Sequence, residues 1–327
     1  MKSKQSWKGV IDKMKTDALK VRQNRSWFKY NRIKRFIPLY VLFLPVLIYY
    51  VIFSYIPMAG IILAFKDFNF LEGIYGSPWA GFKHFSRFLN NGDFWVVFKN
   101  TVIISFLRIL FGFPAPIIFA LLLNEIRNKT FKKITQTISY LPHFISWVVI
   151  SGILFSFFAA EGLVNKLIVT MGGSAYGFLS SESYFRQFLV ATAIWKELGW
   201  GAIVYLAALA GVDPEVYEAG IIDGTNRWQK LIYITIPSIS KVVSIMFVLS
   251  FANVLNAGFE QVLVLINPTV AGVAEIIDYY IYRTGIMQVN NYSYATAVGF
   301  FKSFISLALV LITNWGAKKI DEEGAIW

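Results

Sequence analysis

The sequence contains no cysteine, and this absence excludes disulfide bridges, thiolate metal ligands and a cysteine nucleophile. Histidine occurs only twice, at His84 and His143, which is too few for a histidine-rich metal site. The phosphate-binding stretch GxxxxGKS/T, the zinc-protease pattern HExxH and the GxSxG turn of hydrolases are also missing. We therefore expect no catalytic residue, metal or cofactor in this chain, and an ATP-driven process would need a separate ATPase subunit to bind ATP and Mg²⁺.

Charged residues are scarce, at 15%, whereas 56% of the 327 residues are hydrophobic and the mean hydropathy is +0.55. A soluble domain of this size would be less apolar. Aromatic residues reach 17%, which suits the aromatic belts of a membrane protein. The net charge of +12 is concentrated at one end beside an apolar run, an arrangement that indicates membrane topology and not a nucleic-acid partner.

Six apolar runs are each long enough to cross a bilayer, which takes about 20 residues. They predict an all-α membrane protein with a basic tail over 1–35, a membrane domain over 36–317 and a short tail over 318–327. The six predicted spans cover residues 36–65, 100–123, 134–158, 187–210, 238–259 and 293–315.

Lysine and arginine are distributed unevenly over the segments between the spans. The side that carries both termini holds 21 of them and the opposite side holds 7, which predicts that both termini are cytoplasmic. The basic tail alone contributes twelve, against two acidic residues. Its thin apolar stripe leaves two interpretations open, an amphipathic helix on an anionic membrane face or a solvated tail that only sets the orientation.

Residues 213–237 are the longest amphipathic, charged interval between two apolar runs. Asp213 is predicted to cap a first short helix, with Pro214 at its first position. Asp223 and Gly224 end that helix, because glycine tolerates the backbone angles of a sharp turn.

A second short helix follows this turn. We expect Thr225 to cap it, the helix to run over 226–234, and Pro237 to end it. A helix–turn–helix of this kind on the cytoplasmic side suits a surface that docks into another protein.

Four charged side chains lie well inside predicted spans, away from their ends: Arg108, Lys196, Glu197 and Lys302. A charge at the middle of a bilayer costs about 2.5–3.5 kcal/mol, so such residues face a partner or a cavity. For Lys196 and Glu197 we favour snorkelling towards the outer interface, and for Arg108 and Lys302 a structural ion-pair role. Arg108 or Lys302 would also favour an acidic ligand.

The predicted fifth span carries polar residues at helical spacing. If the helix is continuous, Ser250, Asn253, Asn256 and Glu260 form one stripe, suited to hydrogen bonding with a hydroxyl-rich solute. Contacts between helices, worth about 0.6 kcal/mol each, are an equally good interpretation. Four aromatic residues could stack against sugar rings, but a place in the interfacial aromatic belt or in the core is favoured for each of them: Trp195, Trp200, Tyr205 and Tyr279.

The interval 213–237 resembles a signature of the permease subunits of bacterial binding-protein-dependent ABC importers. That signature is EAA, three residues, glycine, nine residues and then I-x-L-P. It appears here as Glu218-Ala219-Gly220, Gly224 and residues 234–237, with the spacing intact. Gly220 replaces the second alanine and Ile236 replaces the leucine, two small or apolar changes.

Further stretches resemble the carbohydrate-uptake branch of this family, which includes the larger permease subunit of maltose transporters. They are YLAALAGVDPEVYEAG and SFANVLNAGFEQVLVLINP. The stretches GIILAFKDFNF, SPWAGFKHF and LPHFISWVV are similar to permeases for oligosaccharides or polysaccharide fragments such as aldouronates, rhamnogalacturonan pieces or alginate. The resemblance covers roughly residues 36–317.

This resemblance implies a type I importer permease fold in the inner membrane of a bacterium. The expected partners are a second permease subunit, two ABC ATPase subunits, an extracytoplasmic solute-binding protein and the sugar. The resemblance assigns the contact with the ATPase to Glu218, Ala219, Gly220, Asp223 and Gly224. It assigns sugar contact to Ser250, Asn253 and Asn256, to which we add Glu260 from helical spacing.

Two other classes of function fit the sequence less well. An ion-coupled secondary carrier would work without an ATPase, using Arg108, Lys196, Glu197 and Lys302 as relay groups. A membrane-embedded enzyme has no nucleophile or metal cluster behind it. The spacing of the loop signature favours the importer permease strongly over both.

Overall fold

The computed structural model describes residues 36–252, 254–288 and 291–320. Within these ranges the regular structure is helical, and strand pairing is limited to one isolated bridge between Lys66 and Trp79. The predicted basic tail over 1–35 lies outside the described residues, as do residues 321–327 of the predicted C-terminal tail. The chain divides into two compact units, Met1–Ile61 and Ile62–Trp327.

The first unit, over its described residues 36–61, is a single apolar helix that belongs to α1 (Phe36–Phe65). This helix contains a π-turn at Val51–Tyr55, where the N–H of Ile56 donates to the carbonyl of Val51. Pro57 follows directly. Because a proline ring collides with the carbonyl four residues earlier, a wider turn at this point lets the helix continue.

The second unit contains the remaining helices. Two long ones are α2 (Gly92–Glu125) and α5 (Glu182–Ala210), and α11 (Tyr292–Ile320) is the last. The others that matter for the site are α3 (Lys129–Tyr140), α4 (Trp147–Phe158), α6 (Pro214–Ile222), α7 (Arg227–Ser238), α8 (Ser240–Ala252), α9 (Phe259–Leu265) and α10 (Ile277–Tyr282).

Among the described residues, five helices are long and apolar enough to cross a membrane, or six if the pair α7 and α8 counts as one span bent by 62°. This agrees with a multi-pass membrane protein. The predicted first, second, fourth and sixth spans each correspond to one long helix, although α2 begins eight residues before residue 100.

The predicted third span over 134–158 is wrong as one continuous helix. α3 ends at Tyr140, a 3₁₀ turn covers Leu141–Phe144, and α4 begins only at Trp147. Pro142 has no N–H to continue the ladder, and Ser146 caps α4 by accepting the N–H of Val149. The apolar helix that meets the length of a span here is Trp147–Thr170, which includes α4.

Lys196 of α5 closes this break between α3 and α4. Its Nζ donates to the carbonyl oxygens of His143, at 2.6 Å, and Pro142, at 3.3 Å. Only 6% of Lys196 is exposed, so the predicted snorkelling of this residue is wrong. Its neighbour Glu197 lies 2.8 Å from Nδ1 of His143. Carbonyls freed by a break inside a membrane need such donors.

Three hydrophobic clusters hold the helices of the second unit together. One packs α2, α4 and α5 around Phe185 and Leu189, and a second joins α2, α10 and α11 around Phe94. The third packs α2 and α5 against Ile239, the residue at the bend between α7 and α8. The bend is therefore anchored in the core.

Gly199 gives a test of the packing between α3 and α5. A Cβ atom at Gly199 would lie 2.2 Å from the carbonyl oxygen of Ser139, which is a backbone atom that cannot yield. We expect Gly199→Ala to lower the free energy of unfolding by about 1–3 kcal/mol through overpacking. The thermal midpoint of the detergent-solubilised protein measures this loss.

Gly152→Ala in α4 is the matched control for this prediction. A Cβ atom there meets no described heavy atom within 4 Å. Because alanine favours a helix over glycine by about 1 kcal/mol, the control variant should be unchanged or slightly more stable. Equal midpoints for the two variants would show that α3 does not pack on α5 as described.

Candidate functional site: the interhelical loop and the cavity beside the broken helix

The loop over 213–237 begins with the predicted cap. The Asp213 side chain accepts the N–H of Glu215, at 3.0 Å, and Pro214 is at the first position of α6. At the other end of α6, Gly224 has a φ of +76°. Its N–H donates to the carbonyl of Ile221, and the N–H of Thr225 donates to Gly220. These two bonds form a Schellman motif, which requires a residue with left-handed backbone angles.

The second helix of the loop differs from the prediction. Its cap is Asn226 and not Thr225: Asn226 and Gln229 form a reciprocal capping box. The Thr225 hydroxyl instead donates to the carbonyl of Gly220, at 2.7 Å, and locks the turn. Pro237 does not end the helix either, because a π-turn at Leu231–Thr235 accommodates the proline and α7 continues to Ser238.

The five residues of the predicted signature fall into two groups. Glu218, Ala219, Asp223 and Gly224 are exposed. Gly220 is buried, and a Cβ atom on it would lie 2.4 Å from Cδ1 of Ile234 on α7. Gly220, which replaces the second alanine of the EAA pattern, is therefore the residue against which α7 packs.

The loop presents a large apolar surface. Ile222 is 86% exposed and Trp228 is 73% exposed. Exposed apolar patches of this kind mark interaction sites. The coupling face, as we call this surface, consists of Val216, Ile221, Ile222, Trp228, Ile232 and Tyr233.

The predicted fifth span over 238–259 is broken, and the polar stripe proposed on it is not one helical face. α8 ends at Ala252, a 3₁₀ turn covers Val254–Asn256, and α9 starts at Phe259. Ala257 and Gly258 have φ values of +42° and +79°, which no continuous helix permits. The glycine after the apolar run was a signal for this end.

The break scatters the four predicted sugar-contacting residues. Ser250 is near the end of α8 and Asn256 is in the 3₁₀ turn, and both line one cavity. Glu260 is on α9, exposed, and outside the lining of that cavity. Asn253 lies outside the described residues.

This cavity has a volume of about 570 Å³ and lies between α2, α5, α8 and the turn that follows α8. Its described lining is mostly apolar, with a few convergent polar side chains, as in typical ligand sites. The polar members are Ser105, Arg108, Tyr205, Ser250 and Asn256.

The two serine hydroxyls of this cavity already donate to backbone carbonyls. Ser250 donates to Phe247, at 2.6 Å, and Ser105 donates to Val254 in the 3₁₀ turn. Their oxygens can therefore accept hydrogen bonds from a ligand hydroxyl.

Lys302 is tied into an ion pair behind the break. Its Nζ lies 2.6 Å and 2.7 Å from the two carboxylate oxygens of Asp278, and 2.8 Å from Oδ1 of Asn256. This pair joins α10, α11 and the 3₁₀ turn. The predicted structural role for Lys302 fits these contacts.

Gln261 is a residue that the sequence interpretation missed. It is fully buried, and its Nε2 donates to Oγ1 of Thr192, at 2.7 Å, and to the carbonyl of Leu189, at 3.0 Å. Its Oε1 accepts a hydrogen bond from Arg108. Nothing in the sequence distinguished Gln261 from its exposed neighbour Glu260, since their difference depends on where α8 breaks.

Comparison with known proteins gives consistent relatives. Residues 112–322 match the family described as "Binding-protein-dependent transport system inner membrane component". Protein LplB of Bacillus subtilis (strain 168) is 46% identical over 287 residues, 88% of this chain and 90% of that protein. The polygalacturonan/rhamnogalacturonan transport system permease protein YteP of the same organism is 44% identical over 88% of this chain and 89% of its own length.

A solved structure has the same fold. A chain from the crystal structure of a bacterial alginate ABC transporter, in complex with an alginate pentasaccharide-bound periplasmic protein, superposes with a TM-score of 0.82 at 38% identity. The match covers 89% of this chain and 97% of that one. With the family matched over more than half its length, this chain belongs to the binding-protein-dependent transport system inner membrane components.

Proposed function

We propose that this chain is the permease subunit of an ATP-driven importer that carries an oligosaccharide or polysaccharide fragment, delivered by an external solute-binding protein, across the inner membrane of a bacterium. The observation that carries the proposal is the loop over 213–237, a capped helix–turn–helix with an exposed apolar face, in a chain of the importer family. The chain itself performs no chemistry. A second permease subunit and two ATPase subunits, which bind ATP and Mg²⁺, complete the complex.

The coupling face supports contact with an ATPase subunit. Its apolar side chains are exposed, while the backbone of the loop is fixed by the Asp213 cap, the Schellman motif at Gly224 and the Asn226 capping box. A surface that is rigid and apolar suits a groove in another protein. Glu218 and Asp223 lie exposed beside it and would contact the groove rim.

The orientation of the complex follows from the charge distribution. The six spans predicted from the sequence would leave both termini on one side of the membrane. The excess of lysine and arginine on that side makes it the cytoplasmic side. The loop then faces an ATPase in the cytoplasm.

The sugar pathway would pass the cavity beside the broken helix. Ser250 and Asn256 line it, and Tyr205 supplies an aromatic ring. Asn253 belongs to the proposed pathway by family resemblance. Glu260 enters only if the pathway extends past α9. We infer an acidic sugar as the substrate, because YteP and the alginate transporter are both named after acidic polysaccharides.

The ion-coupled carrier has weaker support from the same residues. Lys302 is paired with Asp278 and Lys196 closes a helix break. Glu197 contacts His143 and Arg108 donates to Gln261, so all four proposed relay groups have structural partners. Sugar uptake by this chain alone, in vesicles without ATP, would favour the carrier and contradict the importer.

A pull-down tests the proposed contact with the ATPase. From native membranes, we expect the wild-type chain to retrieve an ATPase subunit and a second permease. The double variant Glu218→Ala/Gly224→Trp should lose the ATPase, because tryptophan at a φ of +76° opens the turn that shapes the coupling face. Residual ATP hydrolysis in this variant should be uncoupled from transport.

Glu161→Ala/Gly172→Trp is the matched control. Gly172 has a φ of +86°, and, as at Gly224, a Cβ atom meets no described heavy atom within 4 Å. Glu161 is exposed, like Glu218, and both control residues lie outside the loop over 213–237. Full ATPase recovery with the Glu218/Gly224 variant, or its loss with the control as well, would refute the contact.

A second prediction concerns Gly220, where the family pattern has alanine. Gly220→Ala should push Ile234 aside and lower coupled uptake, because the new Cβ would meet Cδ1 of Ile234 at 2.4 Å. Ile234→Val removes that methyl group, and the nearest remaining atoms are then Oγ1 of Thr225 at 3.2 Å and Cγ1 of residue 234 at 4.0 Å. The double variant should therefore recover most of the lost uptake.

The measurement is ATP-dependent uptake for the two single variants and the pair. The strain of overpacking is about 1–3 kcal/mol, so a coupling energy of about 1 kcal/mol or more between the two positions is expected. Strictly additive effects would mean that α6 and α7 do not meet at these residues.

A further inference from the structure

We propose that Arg108 is the subsite that receives the carboxylate of an acidic sugar, a hexuronate unit, in the cavity beside the broken helix. This inference rests on the proposed function and adds to it the class of substrate and the residue that selects it. Arg108 is the only charged side chain among the described residues that line the cavity.

The three cations that the sequence places inside spans differ in their counter-charges. Lys302 has the carboxylate of Asp278 at 2.6 Å, and Lys196 has that of Glu197 at 3.8 Å together with two backbone carbonyls. Within the described part of the chain, Arg108 has no carboxylate within 4 Å. A cation without an ion-pair partner beside a cavity in a membrane is a functional-site candidate.

The hydrogen bonds of Arg108 leave most of its capacity unused. A guanidinium carries five N–H donors. The described residues accept one of them, through Oε1 of Gln261, and Nε is shielded and lacks a partner among these residues. The remaining Nη donors can bind both oxygens of one carboxylate, the geometry in which arginine binds carboxylates most strongly.

Gln261 fixes the position of the guanidinium. Thr192 donates its hydroxyl to the carbonyl of Phe188, at 2.7 Å, so its oxygen must accept from Gln261. That contact orients the amide with Oε1 towards Arg108. Gln261 is thus a positioning residue, and it adds no negative charge that would compete with a ligand.

Gly258 makes room for Arg108 at the break. A Cβ atom at Gly258 would lie 2.1 Å from Nη2 of Arg108 and 2.4 Å from Cζ. With a side chain at Gly258, the guanidinium of Arg108 would have to move from this position. Gly258, which lies at the break of the helix, therefore also leaves space for the guanidinium of Arg108.

Two serine side chains of the cavity are suited to accept hydrogen bonds from sugar hydroxyls. The hydroxyl groups of Ser105 and Ser250 donate to backbone carbonyls, which leaves oxygen lone pairs towards the cavity. Lone pairs accept from sugar hydroxyls but repel a carboxylate. A hexuronate has both carboxylate and hydroxyl groups, and the described lining offers one cation and these two acceptor oxygens.

The test separates binding from transport. The complete importer is purified in detergent without its solute-binding protein, so that the specificity of that protein does not enter. Equilibrium binding is measured for a hexuronate oligosaccharide and for the same oligosaccharide with its carboxyl groups reduced to alcohols. Uptake of both sugars in ATP-loaded proteoliposomes, with the solute-binding protein, is measured in parallel.

We expect the wild type to bind the acidic sugar more tightly than the neutral one. Arg108→Gln should weaken uronate binding about tenfold or more, which is the usual size of a lost charged hydrogen bond, and leave neutral binding within about twofold. The uronate affinity of Arg108→Lys should lie between those of the wild type and Arg108→Gln, because lysine keeps the charge but cannot bind both carboxylate oxygens with two parallel N–H groups. Lys166→Gln, an exposed cation outside the cavity lining, should change neither affinity.

Gly258→Ala is the second route to the same result. It displaces the guanidinium without removing its charge, and should weaken uronate binding and spare neutral binding. If Arg108→Gln does not assemble with its partners, Arg108→Lys and Gly258→Ala decide the outcome.

Equal loss for both sugars, or no preference in the wild type, would overturn the carboxylate subsite. So would unchanged uronate binding in Arg108→Gln. Absence of ATP-dependent uptake of either sugar by the wild type would instead contradict the proposed function. The two failures are therefore distinguishable.

Discussion

Every break in a membrane-embedded helix exposes backbone carbonyls and amides that only the protein can satisfy. In this chain the breaks are closed by side chains from distant helices. Lys196 of α5 bonds the carbonyls between α3 and α4, and Ser105 of α2 bonds the carbonyl of Val254 after α8. Apolar helices can therefore end without unsatisfied backbone groups, and the cavity lies at one of these ends.

At three prolines, by contrast, the helix does not end. Pro57, Pro114 and Pro237 each follow a π-turn, so the helix widens and continues where a proline would otherwise end it. The real ends occur elsewhere, at the 3₁₀ turn that contains Pro142 and at the left-handed pair of Ala257 and Gly258. In this protein, a proline in an apolar run is a weaker sign of a helix end than a backbone carbonyl that accepts a hydrogen bond from a distant side chain.

This difference explains what could be predicted from the sequence. Apolar runs and caps depend on neighbours within a few residues, so four spans, the Asp213 cap and the turn at Gly224 were predictable. The breaks depend on partners far along the chain: 53 residues separate Lys196 from His143, and 149 separate Ser105 from Val254. Helical spacing alone placed Ser250 and Glu260 on one face, and the turn between them puts them in different environments.

The two parts of the site are joined by the chain itself. The coupling face includes α7, and α7 leads through one residue, Ile239, into α8, whose far end carries Ser250. Ile239 is buried against α2 and α5 in the same cluster as Tyr205, which also lines the cavity.

Because this bend is packed in the core, it can act as a fixed pivot and not as a flexible joint. The Ser240 hydroxyl also bonds back to the carbonyl of Pro237, at 2.8 Å, across the bend. A displacement of the loop by a partner should then turn α8 about Ile239 and move the cavity wall. The sequence joins a rigid loop to a broken helix, so one packed bend connects the apolar surface of the loop with the wall of the cavity.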